Sequence, residues 1–194
     1  RMSGAAPSGA LHGVHLMGRF DERATQPARG PSDILRWQYE RLTGRGPARE
    51  RDPRGAPWRS NDGSSIRALP ASLTWVGHAS FVMRMGGRLI ATDPVFSERV
   101  QVVRRLTPPG VTPEALPPID VVLVSHNHYD HLDAPSLRRI GPEALYVVPL
   151  GNARTLRSIG LPRVVELDWW QTHRGGDIEV TLVPARHWSM RAPW

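Results

Sequence analysis

Residues 120–131 read DVVLVSHNHYDH, an apolar run followed at once by three histidines and an aspartate. The run shows no alternation of apolar and polar residues, which is typical of a strand buried on both faces, so we predict a central strand over residues 120–125. His126 and His128 stand two apart on extended backbone and therefore project to the same side. Asp130 and His131 follow where the chain turns, and they can address a second point beside the first.

These side chains are donors that protein-bound metal ions use. Imidazole nitrogen and carboxylate oxygen suit Zn²⁺, Mn²⁺ or Fe²⁺, and the chain has no Cys that could add a thiolate ligand. One strand end can therefore supply two adjacent cation sites. The alternative is a solvated His-rich loop, which we disfavour because the cluster directly follows a buried strand.

The flanking sequence alternates strands with helices. The pattern predicts helices over residues 133–140 and 152–159, and strands over residues 73–76, 80–85, 88–92, 145–149, 164–167 and 178–183. Gly86 and Gly87 form a two-residue hairpin turn, whereas residues 101–118 are rich in Pro and predicted to be irregular. This order indicates an α/β sheet with helical cover.

The first 68 residues differ from this regular region. Residues 1–30 mix Gly, Ala, Pro and Arg without apolar periodicity and are predicted to be a flexible arm. Ser32 or Asp33 can cap one short amphipathic helix that ends at Gly44. We therefore divide the chain into an arm with a short helix (residues 1–68) and a sheet-containing domain (residues 69–194).

Charge and composition exclude several classes of function. The formal net charge is +7, all 25 basic residues are Arg, and 11 of them lie in residues 1–60 rather than on one element. We therefore expect no nucleic-acid partner, and rather attraction to an anionic surface or substrate. No apolar run approaches the roughly 18 residues of a membrane span, and no signal peptide is visible. We expect a cytoplasmic protein with peripheral contact at the membrane.

Further stretches match a known family in order. They are TWVGHAS (74–80), TDPVFS (92–97), LPPID (116–120), ELDWW (166–170) and PARHWS (184–189). Together with H-x-H-x-D-H at residues 126–131, they resemble the metallo-β-lactamase superfamily, and within it the N-acyl-phosphatidylethanolamine-hydrolysing phospholipase D branch. The resemblance covers about residues 70–194. The branch's Gly-Pro-x-Arg-like segment is not matched cleanly at residues 99–109.

The resemblance implies a metallo-β-lactamase αββα sandwich, of which this chain carries the N-terminal half behind an N-terminal extension. It also implies a ligand set. His126, His128 and His187 would hold the first zinc, and Asp130 and His131 would contribute to the second, with Asp130 also holding the attacking water. We predict that the three imidazoles of the first set converge on one point.

Other polar and aromatic residues receive supporting roles by the same resemblance. Asp93 would be the carboxylate that orients a ligating imidazole; the alternative is a plain turn aspartate before Pro94. For His78 we favour a structural hydrogen-bonding role over ligation. Trp169 and Trp170 are expected to pack under a loop rather than to form a substrate platform. The remaining histidines, His12, His15 and His173, are expected to be exposed.

The implied function is a zinc-dependent hydrolase with two zinc ions per complete domain, Mn or Fe being alternatives. An acidified bridging water would attack the substrate, a small-molecule or lipid phosphodiester. Two alternatives remain: a lactonase or other ester hydrolase of the same fold, and an inactive, metal-poor fragment that acts as a binding module. The oligomeric state is left open.

The family's bridging Asp and final His have no counterpart in residues 1–194. Because di-metal chemistry depends on both ions, we expect the 194-residue chain alone to be hydrolytically inactive and poorly soluble, and a longer natural chain to be active.

Overall fold

The computed structural model describes residues 31–45, 58–185 and 187. The chain forms two compact units, Arg1–Asp52 and Pro53–Trp194. In the first unit, α1 spans Pro31–Thr43 and ends before Gly44, whose positive φ of 67° is typical of a helix terminus. The predicted short helix is thus confirmed, whereas the predicted arm over residues 1–30 lies outside the described residues.

The second unit contains the sheet. Its described helices are α2 (Ser64–Ala68), α3 (Ala134–Ile140), α4 (Ala153–Ser158) and a 3-10 turn at Pro113–Ala115. Its described strands are β1 (Ser72–Gly77), β2 (Ser80–Met85), β3 (Arg88–Thr92), β4 (Arg99–Val100), β5 (Val103–Arg104), β6 (Val121–Leu123), β7 (Leu145–Pro149), β8 (Val164–Leu167), β9 (Thr172–Gly175) and β10 (Ile178–Thr181). The unit begins before the predicted boundary at residue 69, because α2 belongs to it and Ile66 of α2 is buried in its core.

Six strands form one mixed sheet in the order β1-β2-β3-β6-β7-β8. The first three pair antiparallel, and β3, β6, β7 and β8 pair parallel. β6 lies between two parallel neighbours with Val121 and Val122 buried, so the predicted central strand is confirmed. The assigned strand is shorter than predicted, although the flanking residues still make backbone hydrogen bonds to its neighbours: the Asp120 amide donates to the Leu89 carbonyl (2.9 Å) and the Val124 amide to the Val147 carbonyl (3.0 Å).

Helices cover one face of the sheet. Leu137 of α3 and Leu156 of α4 are fully buried against Val122 and Tyr146. Tyr146 donates its hydroxyl hydrogen to the carbonyl of Gly141 (2.6 Å), and burial raises its pKa. On the opposite face, partly buried side chains of β10 pack on a smaller apolar cluster formed by Ile90, Val121, Val147 and Leu167.

Three local expectations were wrong. Residues 172–175 form β9, paired with β10, instead of a turn, and His173 is therefore half-buried rather than exposed. The short β4–β5 hairpin interrupts the segment predicted to be irregular. Helix α2 was not predicted, since five residues are too few to show a period. Among the described helices, none is long and apolar enough to cross a membrane.

Candidate metal centre

The predicted site residues meet at one edge of the sheet. Strands β3 and β6 are parallel, so the segments that follow Thr92 and Leu123 leave the sheet side by side. The turn between β1 and β2 reaches the same edge, because Phe81 at the start of β2 pairs with Thr92 at the end of β3. The topology therefore brings His78 and Asp93 next to residues 125–131.

Three imidazoles converge as predicted. The Nδ1 atom of His128 lies 3.0 Å from Nε2 of His126 and 3.2 Å from Nε2 of His187. The ring centroids are 4.6–4.8 Å apart in all three pairs. Two nitrogens bound to one tetrahedral zinc at about 2.1 Å are roughly 3.4 Å apart, so these spacings suit a shared ion. We refer to His126, His128 and His187 as the three-histidine group.

Ser125 fixes the orientation of the first of these rings. Its hydroxyl donates to Oδ2 of Asp93 (2.6 Å) and lies 2.9 Å from Nδ1 of His126. Since the single hydroxyl proton is used on the carboxylate, Nδ1 of His126 is the donor in the second contact. The lone pair of His126 is then on Nε2, the atom that faces His128. Sequence reasoning missed Ser125, because a serine at a strand end carries no distinguishing signal.

The electrostatics of the site favour the neutral form of His126 and of His128. Burial first, and then the neighbouring imidazoles, lower the pKa of His126 from 6.5 to about 4. Burial and the charge of His187 also lower the pKa of His128. Neutral imidazole is the form that binds a metal ion, so His126 and His128 can bind a cation at neutral pH without releasing a proton.

Asp93 is buried, and both of its carboxylate oxygens have hydrogen-bond partners. Oδ1 accepts the Ser125 amide hydrogen (2.7 Å), and Oδ2 lies 2.8 Å from Nδ1 of His131. Burial alone would lower the pKa of His131, but the hydrogen bond and the charge of Asp93, helped by Asp130, raise it. An imidazole held by a carboxylate at Nδ1 presents Nε2 to a metal, which is the arrangement that we predicted for Asp93.

A second group of donors lies beside the first. Nε2 of His78 is 3.2 Å from Oδ2 of Asp130, and Nε2 of His131 is 4.0 Å from the same oxygen. One ligand atom from each of these residues lies within 4.8 Å of the others. The ring centroids of His126 and His131 are 4.0 Å apart, so the two groups are adjacent. We refer to His78, Asp130 and His131 as the mixed group.

The three-histidine group fits a cation better than it fits a hydrogen-bond network. Nδ1 of His128 offers either one hydrogen or one lone pair, yet it faces the nitrogens of two other rings at hydrogen-bond distance. It can satisfy only one of them by hydrogen bonding. A cation can accept a lone pair from each of the three facing nitrogens, Nδ1 of His128 and Nε2 of His126 and His187.

One expectation at this edge was wrong. Trp170 follows β8, has a positive φ of 68° and is about two-thirds exposed (65%), so it does not pack under a loop. Its amide donates to the carbonyl of Leu182 (2.7 Å), which holds the backbone in this conformation. Trp169 is half-buried.

Comparisons with known proteins identify relatives in several organisms. A protein of Mycobacterium tuberculosis described as uncharacterized is 43% identical over 129 residues, covering 62% of this chain and 35% of that protein. N-acyl-phosphatidylethanolamine-hydrolyzing phospholipase D 1 of Caenorhabditis elegans is 34% identical over 135 residues, covering 61% and 38%. A metal-dependent hydrolase of Anaeromyxobacter sp. (strain K) is 36% identical over 125 residues, covering 60% and 43%. The chain thus spans less than half the length of each relative.

A family model described as a beta-lactamase superfamily domain matches residues 88–193. The match begins with β3 and includes every residue of the two donor groups except His78. Since it covers more than half of the chain, and the fold is a mixed α/β sheet whose edge carries H-x-H-x-D-H, the chain belongs to the beta-lactamase superfamily.

Proposed function

We propose that the protein is a zinc-dependent hydrolase that cleaves phosphodiesters of the N-acyl-phosphatidylethanolamine type. The observation that carries the proposal is the convergence of the three-histidine group next to the mixed group at one sheet edge. Imidazole and carboxylate donors without thiolate suit zinc, with manganese and iron as the other ions of matching chemistry.

The proposal gives the donor residues and their hydrogen-bond partners different roles. The three-histidine group would hold one ion, and Asp130 and His131 would contribute to a second. Asp93 and Ser125 orient the imidazoles of His131 and His126 through the hydrogen bonds described above. When bound, the ions supply Lewis-acid polarisation and lower the pKa of a water toward neutrality.

Asp130 is the residue best placed to act on the substrate side. Its side chain is about half exposed (51%), whereas that of Asp93 is buried. A carboxylate at this position can accept a hydrogen from an attacking water and hold the water in line. Residues 1–194 include no Cys and therefore offer no thiol nucleophile.

The substrate class is supported by similarity alone. Relatives from Caenorhabditis elegans and Saccharomyces cerevisiae are named as N-acyl-phosphatidylethanolamine-hydrolysing phospholipases D, and they are 34% and 36% identical to this chain. Each of the two alignments covers less than half of the relative's length.

The test is an activity assay on the full natural chain, stripped with a chelator and reloaded separately with zinc, manganese or iron. Substrates are bis(p-nitrophenyl) phosphate, N-acyl-phosphatidylethanolamine in detergent micelles, and an acyl lactone. We expect zinc to restore hydrolysis of both phosphodiesters. The variant His128→Ala should lose more than about 100-fold in kcat/KM, beyond the effect of losing an outer hydrogen-bond partner of a ligand.

His173→Ala is the matched control, because His173 lies in β9 and belongs to neither donor group. It should keep the activity of the unaltered protein. Hydrolysis of the lactone with none of the phosphodiesters would replace this proposal by the lactonase alternative. Phosphodiester hydrolysis that is indifferent to the chelator would contradict metal dependence.

A further inference from the structure

The turn between β1 and β2 carries a histidine that the resemblance gives only a hydrogen-bonding role. We infer that His78 is a ligand of the second cation, and completes with Asp130 and His131 a three-residue site. This inference rests on the proposed function, since it assumes that the sheet edge binds metal. It gives residues 1–194 three ligands for each of two ions instead of three and two.

The distances within the mixed group have the spread expected of a coordination sphere. Nε2 of His78 approaches Oδ2 of Asp130 to 3.2 Å, and the rings of His78 and His131 meet edge to face with centroids 5.2 Å apart. Nδ1 of His131 is occupied by Asp93, so its Nε2 is the atom available on the side of Asp130. The ligand atoms of the three-histidine group likewise lie within 4.8 Å of one another.

The backbone conformation of His78 also supports its role as a ligand. Gly77 pairs with Ser80, so His78 and Ala79 form a two-residue hairpin turn, and His78 has a positive φ of 50°. Gly or Asn adopts this conformation at lower cost than histidine does. Strained residues of this kind concentrate at functional sites. The positive φ of His78 therefore supports a functional role for its imidazole.

Several contacts fix this turn in place. The indole Nε1 of Trp75 donates to the carbonyl of His78 (3.0 Å). The guanidinium of Arg105 donates to the carbonyl of Val76 (2.9 Å) and to that of Val95 (3.0 Å), tying the end of β1 to the loop after β3. The His78 side chain itself remains 56% exposed. Its backbone is thus held while its ring stays open to an ion and to solvent.

A purely hydrogen-bonding role of His78 also explains its contact with Asp130. One substitution distinguishes this role from metal ligation. His78→Gln keeps an N–H donor that can reach Asp130 but lacks the imidazole lone pair. His78→Asn tolerates positive φ and guards against a folding defect in the turn. His173→Ala is again the control, and His128→Ala removes a ligand from the other group.

The experiment is equilibrium dialysis of the 194-residue chain and its variants against Co²⁺, with metal counted by mass spectrometry and coordination followed by the cobalt d–d absorption. Circular dichroism verifies that each variant is folded. We expect two ions per chain for the unaltered protein and for His173→Ala. His78→Gln and His78→Asn should bind one, or bind the second at least tenfold more weakly, with altered absorption.

Two ions bound by His78→Gln with unchanged affinity and spectrum would overturn ligation by His78. Ligation by His78 would also be overturned if the unaltered protein bound one ion, His78→Asn kept that ion and His128→Ala lost it. This result would leave the proposed metal-dependent function intact. No ion bound by the folded, unaltered protein would overturn both.

Discussion

At the residue scale, Asp93 is the buried carboxylate of the site. It joins Ser125 and His131, and its own φ of 40° is in the left-handed region. Asp93→Asn suits this backbone but supplies one acceptor oxygen in place of two. We expect the pKa of His131 to fall from its raised value, and metal affinity at the mixed group to fall about 10- to 100-fold.

The Asp93 prediction is checked by following the His131 ring protons by NMR during a pH titration of metal-free protein, and by cobalt binding. Asp62→Asn, at a fully exposed carboxylate, is the control. An unchanged His131 pKa in Asp93→Asn would show that the ion pair does not govern that ring.

His126 predicts a pH dependence of stability in the metal-free protein. Its folded-state pKa of about 4 lies below the ordinary value of 6.5. Below pH 6.5 the unfolded chain therefore binds a proton that the folded chain does not, and the free energy of unfolding falls as pH drops toward 4. Because the ring is partly exposed, solvent screening reduces the size of the effect.

Urea denaturation at pH 7.0 and 5.0 measures this dependence. We expect the unaltered protein to lose more stability over this interval than His126→Phe, which has no titrating group at that position. Equal losses in the two proteins would show that His126 titrates normally in the folded state.

The residues of the site differ in how far sequence could predict them. The donor cluster within residues 126–131 could be predicted from spacing alone, since side chains at alternate positions of a strand end lie on the same side. His187 lies far along the chain, and its convergence could be expected only from the family resemblance. The contacts of Ser125 with Asp93, and of His78 with Asp130, depend on two positive-φ turns, and no local pattern encodes these.

At the element scale, strands bounded by Gly, Pro or Asp were predicted with accurate limits. β3 has the predicted limits, because its run lies between Gly87 and Asp93, and β7 has them with Pro149 as its last residue. β9 was missed, because its residues are polar; besides its backbone pairing with β10, two side-chain contacts cross the hairpin. These are the Thr172–Thr181 hydroxyl bond (2.8 Å) and the Arg174–Glu179 ion pair (2.7 Å).

The loop before the 3-10 turn gives an element-scale prediction. Gly110 donates its amide to the Val76 carbonyl (2.9 Å), and a Cβ at residue 110 would lie 2.3 Å from the carbonyl oxygen of Trp75. Gly110→Ala should therefore push the loop off β1, cost about 1–3 kcal/mol, and weaken cobalt binding at the mixed group by displacing the His78 turn.

Gly87→Ala is the comparison for the loop prediction. Gly87 has a positive φ (74°), but a Cβ there would have no neighbour within 4 Å, and the turn lies at the opposite end of β2. It should cost about 1–2 kcal/mol from backbone strain alone and leave cobalt binding unchanged. Equal cobalt affinity in the two variants would contradict the coupling of the loop to His78.

At the scale of the whole molecule, β1 and β2 carry an apolar strip that is exposed among the described residues. Leu73 and Met83 pair across the two strands, and Leu73 and Met85 are 68% and 60% exposed. Exposed apolar strips of this kind promote association. We expect the 194-residue chain to self-associate with increasing concentration, and the double variant Leu73→Lys, Met85→Lys to be more soluble at the same concentration.

Sedimentation velocity over a concentration series tests this association. The pair Arg154→Lys, Arg157→Lys on α4 is a suitable control, because it leaves the strip unchanged. A monomeric unaltered chain at every concentration would contradict the role of the strip. That residues 1–194 alone are inactive stays a prediction, and turnover equal to that of a longer natural chain would contradict it.

The central claim, that this sheet edge is a metal centre built from imidazoles, is tested most directly by X-ray absorption at the zinc edge of the zinc-loaded protein. The account predicts a first shell of nitrogen and oxygen at about 2.0–2.1 Å, with outer-shell scattering from two to three imidazoles per zinc that is reduced in His128→Ala. A first shell of oxygen alone, without imidazole scattering and unchanged in His128→Ala, would contradict it.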